Sequence, residues 1–264
     1  MSIYHSHNLL ENYLNSEKDH TSLTTTIIEP LSTVIDSLAL VDLKWLLEQH
    51  GLFQPAANNH KQIEQLLNSD VWQQVDDLYK HFQEQWHGPD TKIILLPADL
   101  NNNVLTKKFN CISGLTVQAT IFLFITDKIL PEQLKALIVH EYSHAYRLST
   151  TRRLTLLDTI ILEGVAEYLV HAYCDSNLQT SGLFSSPLKK ASFLSVWNKW
   201  VKPNLTIYER HPLHSRIMYG NVEDLPDLAG YQVGYYLVSE WARQTNASRT
   251  LVLNTPAELF LSIL

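Results

Sequence analysis

His140-Glu141-Tyr142-Ser143-His144, followed after 18 intervening residues by Glu163, constrains this chain more than any other feature. Residues four apart on an α-helix differ by about 40° in direction and roughly 6 Å in rise. His140 and His144 therefore point from one face toward a common point, with Glu141 beside them. Two imidazoles at that spacing can hold Zn²⁺ through ring nitrogens at about 2.0–2.1 Å. A catalytic zinc takes three protein ligands and keeps one position open, so a third ligand has to come from elsewhere, and Glu163 is the natural supplier. Any fold that uses this set must bring a second helix, carrying Glu163, back beside the first.

H-E-x-x-H alone fixes only three positions, and a chain with 12 His can contain it by chance. Context strengthens the match. Pro131-Glu132, a proline just inside a helix start with an acid at the positive end of the dipole, opens a helix that runs to about Leu148. Leu134, Leu137, Ile138 and Ala145 give it a buried side. A second helical pattern follows from about Leu154 to Cys174 and carries Glu163-Gly164-Val165-Ala166-Glu167-Tyr168. The expected site holds one Zn²⁺ per chain on His140, His144 and Glu163. Glu141 has a different role. It accepts the proton of a zinc-activated water, whose pKa falls toward about 7, and passes it to a leaving amine. Glu167, one turn past Glu163, can accept a hydrogen bond from the outer nitrogen of a ligand histidine, or pair with Arg147 on the metal helix. Asp158 either orients a ligand histidine or simply lies in the first turn of its helix.

The rest of the chain reads as α+β. Leu31 to Leu52 has apolar residues at spacings of three and four, which predicts a helix pair ending near Gly51. A further helix is predicted from about Lys61 to Trp86, stopped by Gly88-Pro89. Residues 1–89 are thus expected to form a helical annex, and 90–264 the catalytic domain. Lys92–Leu96 and Leu115–Thr126 are rich in β-branched and aromatic residues and predict strands, with Asn101-Asn102-Asn103 between them as loop. The run Ile121–Ile125 fits either the sheet edge, where an extended peptide can pair, or an ordinary core strand. Beyond the metal helices come a Ser-rich loop near 180–187, helices around Leu188–Lys199 and Leu228–Thr245, and a short one from Ala257.

Composition narrows the function classes. A net charge of −7 excludes the basic footprint of a nucleic-acid binder and offers no polybasic handle for anionic membranes. No run of 18 or more apolar residues occurs, so no membrane span is expected. The first residues lack a basic segment followed by an apolar one, so no signal peptide is expected either. Cys111 and Cys174 are not a disulfide framework, and two free thiols in a cytoplasmic protein is the simplest reading. Composition leaves the oligomeric state open.

H-E-x-x-H, 18 residues, then E-G-x-A-x-Y resembles the gluzincin arrangement shared with enzymes of the aminopeptidase N type. His140–Arg147, Leu156-Leu157-Asp158, Glu163–Tyr168 and Gly230–Tyr236 are similar to a narrower bacterial group, the predicted zinc-dependent proteases of the YjaZ type, with a likeness covering about Leu95 to the C-terminus. That group commonly has a histidine where this chain has Ser143, a change that spares every expected ligand. The resemblance implies a zincin-like core and hydrolysis of a peptide or protein substrate. It also implies an oxyanion donor from a downstream segment. Tyr231 is the first candidate and Tyr235 the second, because the glycines of Gly230–Tyr236 permit close backbone approach; both are equally read as core tyrosines. His211 and His214 are a weaker option, their spacing fitting a surface turn beside Pro212. The Gly-x-Met-Glu-Asn segment of the similar aminopeptidases is missing, which favours internal cleavage or a narrow peptide substrate. A competing function keeps the metal and the fold but acts as a regulatory or binding protein with little turnover.

Overall fold

The computed structural model of the chain describes residues 6–35, 38–56, 59–148, 154–174, 188–220 and 224–264. It is α+β, mainly helical with one small mixed sheet of three strands among the described residues. By compactness the chain divides into two units, 1–145 and 146–264.

The first unit opens with α1 (Ser6–Leu14) and then a helical run of α2 (His20–Leu23), a π-turn (Thr24–Ile28) and α3 (Glu29–Ser32). α4 (Leu40–His50) ends as expected on Gly51, whose φ of 119° is open to glycine at little steric cost. The helix predicted over Lys61–Trp86 is two, α5 (Asn59–Leu67) and α6 (Val71–Trp86), broken at Asn68-Ser69-Asp70. α6 buries Val71, Val75, Tyr79, Phe82 and Trp86, one stripe at spacings of three and four.

β1 (Lys92–Pro97) is followed by α7 (Asn103–Lys108), which the asparagine-rich stretch hides in the sequence. There Asn102 is a helix cap, accepting from the amides of Val104 at 3.0 Å and Leu105 at 3.1 Å. The second apolar run folds into a hairpin of β2 (Ser113–Val117) and β3 (Thr120–Ile125). Strand order is β1-β3-β2, with β1 and β3 parallel and β3 and β2 antiparallel. β3 is therefore central and buried along its whole length, which excludes the edge position considered for Ile121–Ile125. The two edges are β1 and the half-buried β2. The early helices are tied to this sheet: the Leu95 amide donates to Ser6 Oγ at 3.2 Å and the Gln62 amide to the Ala98 carbonyl at 2.7 Å. α8 (Pro131–Leu148) spans the predicted range and extends into the second unit.

In the second unit, α9 (Leu156–Tyr173) starts at Thr155, whose side chain and that of Asp158 cap each other's backbone amides. α10 (Lys190–Val196) runs on through a π-turn (Trp197–Val201) and a 3₁₀ turn (Lys202–Asn204). α11 (Pro212–Tyr219), α12 (Ala229–Thr245), α13 (Arg249–Asn254) and a 3₁₀ segment (Ala257–Ile263) complete it. α9 and α12 pack most closely, because Gly164 and Gly234 meet backbone to backbone: a Cβ on either would overlap the other helix. The Ser-rich loop expected near 180–187 lies outside the described residues. No helix of the described residues is long and apolar enough to cross a membrane.

Candidate metal centre

The backbone of α8 sets the His140–His144 spacing. Their Nε2 atoms lie 3.1 Å apart and their rings stand at 82° to each other. Two nitrogens in a tetrahedral zinc shell at about 2.0–2.1 Å would be about 3.3 Å apart, so the pair already has the separation of co-ligands. His140, His144 and Glu163 each offer one ligand atom, and these atoms lie within 4.8 Å of one another. Two imidazole nitrogens and one carboxylate oxygen are the donor types a catalytic zinc takes, so the residues present fit the ion. Among the described residues no other group of this kind occurs.

Tyr142 lies between the two histidines in sequence and on another face in space. Its ring stacks on Trp86 at 5.4 Å and 12°, meets Tyr79 edge-on at 5.3 Å, and its hydroxyl donates to the Pro89 carbonyl at 3.0 Å. Tyr79 in turn accepts from the Thr91 amide at 2.9 Å. This aromatic cluster fixes the rotation of α8 about its own axis, and so the direction of the imidazoles. Ser143 Oγ donates to the His140 carbonyl at 2.7 Å.

Glu141 is only 5% exposed, and β2 shapes its surroundings. Thr116 Oγ1 donates to Glu141 Oε2 at 2.7 Å and lies 3.0 Å from the Glu141 carbonyl oxygen. A Cβ on Gly114 would overlap the Glu141 carboxylate. Neither residue stands out in the sequence as part of the site. The available signal was a lone glycine at a strand start, which marks close approach of another group.

On α9, Glu163 is half-buried and Glu167, one turn on, is fully buried. Tyr231 is close to Tyr219, with ring centroids 6.2 Å apart. Tyr219 is exposed as a whole, at 55%, but desolvation around its phenol and then the charge of Glu163 push that group up, while a hydrogen bond with Tyr231 opposes them. Tyr219, a residue the sequence did not mark, thus shares the neighbourhood of Glu163 with Tyr231. Tyr235 lies against His171, with ring centroids 4.9 Å apart. Burial, and to a smaller extent the charge of Glu167, push its phenol up. The glycines of this segment serve helix packing: Gly234 faces the Ile160 carbonyl and Gly230 faces Met218.

Four further candidates have structural contacts. Arg147 donates to the carbonyls of Leu253 at 2.8 Å and Thr255 at 3.0 Å, closing the end of α13. Burial lowers its pKa to about 10 against the pull of Asp158. Asp158 Oδ2 accepts from the Thr155 amide at 2.9 Å and hydroxyl at 2.6 Å, the first-turn role weighed for it. Of the two histidines, His214 lies inside α11, while the exposed His211 sits at the bend before Pro212, as the surface-turn reading has it. His211 accepts from the Leu213 amide at the start of α11, and His214 is buried against Thr159 Oγ1 at 3.1 Å.

A family model described as "Predicted Zn-dependent protease" (DUF2268) matches residues 71–262. A protein named "Uncharacterized protein YjaZ" from Bacillus subtilis (strain 168) is 29% identical over 219 residues, covering 81% of this chain and 83% of that protein. No solved structure matches.

Proposed function

Because the chain belongs to the DUF2268 family of predicted Zn-dependent proteases, we propose that it is a zinc metallopeptidase that hydrolyses peptide bonds with water, Glu141 acting as general base. The observation that carries this reading is the convergence of His140, His144 and Glu163, whose ligand atoms lie within 4.8 Å of one another, beside a buried Glu141. A structural metal site would have no use for such a base.

His140, His144 and Glu163 would hold one zinc per chain. When bound, zinc supplies a Lewis acid that makes water nucleophilic at neutral pH. Glu141 takes a proton from that water and returns it to the departing amine nitrogen. Glu167 is proposed to steady a ligand imidazole through its outer nitrogen. An extended substrate would add to the outer side of β2, the edge strand that touches Glu141, which makes the site suited to peptide backbone. Residues 90–264 would form the catalytic domain and the helices of 1–89 its annex.

For the oxyanion we propose a phenol beside Glu163, with Tyr231 as donor. Tyr231→Phe is expected to lower kcat by about 10²–10³-fold with KM little changed. If Tyr219→Phe shows that loss and Tyr231→Phe does not, the assignment to Tyr231 is wrong.

The central test is Glu141→Gln. Metal analysis should find about one zinc per chain in parent and variant, since the base is not a ligand. Cleavage of a quenched fluorescent peptide library should fall by at least about 10²-fold. A variant that cleaves like its parent would remove Glu141 from the mechanism. A zinc-loaded parent that cleaves no member of the library would favour a binding role instead.

A further inference from the structure

We propose that β2 is a holder for the general base, with Thr116 as a positioning residue and Gly114 providing the space the carboxylate occupies; this rests on Glu141 being the base. Gly114 and Thr116 are two apart on a strand, so their side-chain positions share one face. That face meets Glu141. Thr116 Oγ1 donates to Oε2 at 2.7 Å, and a methyl group on Gly114 would stand where the carboxylate lies.

A glutamate side chain has three rotatable bonds and, left alone on a helix, samples several rotamers. Here Oε2 is tied to the Thr116 hydroxyl, and Oε1 is the carboxylate atom nearest the bare backbone of Gly114. Threonine suits this position because its branched β-carbon restricts χ1, which aims the hydroxyl. The 3.0 Å approach to the Glu141 carbonyl is longer than the contact to Oε2, and the single hydroxyl hydrogen serves the shorter one.

The register of β2 links this holder to substrate. Val117 and Thr120 close a two-residue hairpin turn, and bonded pairs alternate along an antiparallel ladder. The backbone groups of Gly114 and Thr116 therefore face away from β3, toward the free side of the strand. The two residues that hold the base are the two whose amides and carbonyls would pair with an added peptide.

Thr116→Val removes the donor and keeps the shape. In the zinc-loaded protein, with the quenched fluorescent peptide library as probe, kcat should fall about 10- to 100-fold while KM moves less than about twofold. Thr116→Ser should recover most of kcat. A crystal structure of zinc-loaded Thr116→Val should show the Glu141 side chain in a different rotamer, with metal content and Tm close to the parent. Gly114→Ala should displace the carboxylate in the same way. The proposal is overturned if Thr116→Val keeps kcat and the parental Glu141 rotamer, or if Val and Ser variants lose activity equally along with Tm. If the parent cleaves nothing, the peptidase reading fails, and the Glu141 rotamer in Thr116→Val still decides whether Thr116 positions it.

Discussion

His214 is 5% exposed with a ring nitrogen 3.1 Å from Thr159 Oγ1, and burial lowers its pKa from the ordinary 6.5 while Glu209 pulls it up. The folded protein therefore favours the neutral ring. This group's contribution is present above the unfolded pKa of 6.5 and is lost as pH falls through the folded value, because the unfolded chain then binds the extra proton. Thermal melts of His214→Gln should show a shallower loss of Tm between about pH 6.5 and pH 5 than the parent; an identical slope would discount the histidine. His211 and His214 also show what spacing alone cannot tell. His140 and His144 were legible because their co-facing geometry is local to one helix. Thr116 is 25 residues from Glu141 in sequence, so its hydrogen bond depends on how a strand is laid against α8. No local pattern encodes that.

At the scale of elements, the metal helix and its successor were readable from capping chemistry and apolar spacing. Pro131 opens α8, and Thr155 with Asp158 opens α9. The hairpin was less legible. Leu115–Thr126 is apolar almost throughout, and its turn at Gln118-Ala119 has neither glycine nor asparagine, although Gln118 adopts a φ of 55°. The tight crossing of α9 and α12 was hidden for another reason. Gly234 sits in a segment whose glycines also suit a backbone approaching the site, and only the packed helices reveal that they face Ile160 and Met218. In an exposed helix, glycine to alanine gains roughly 1 kcal/mol. Here Gly164→Ala is expected to lose about 3 kcal/mol or more in urea unfolding, because the added carbon meets the backbone of Gly234 and the helices must separate. A gain in stability would show that the crossing can relax.

Across the molecule, the α+β class followed from the change of period near Lys92, and the helical character of the first third from its spacings of three and four. The short helices α1, α7, α11 and α13 did not emerge, being six to nine residues long and held by packing more than by intrinsic preference. Metal binding should be felt by the whole fold, since the ligands come from two helices. Free zinc at a thousandfold over its Kd would stabilise the protein by about 4 kcal/mol. Stripping zinc with a chelator should therefore lower Tm by several degrees in calorimetry, and Glu163→Ala should abolish most of that difference. A melt indifferent to both would argue that no ion is held there. The stacked Trp86–Tyr142 pair has a practical corollary. It places a natural fluorophore against the residue midway between two imidazoles, so in a variant whose other five tryptophans are replaced by phenylalanine, emission becomes an optical gauge of how firmly the helix is seated. The seating can be followed as the ion comes and goes, without any attached dye.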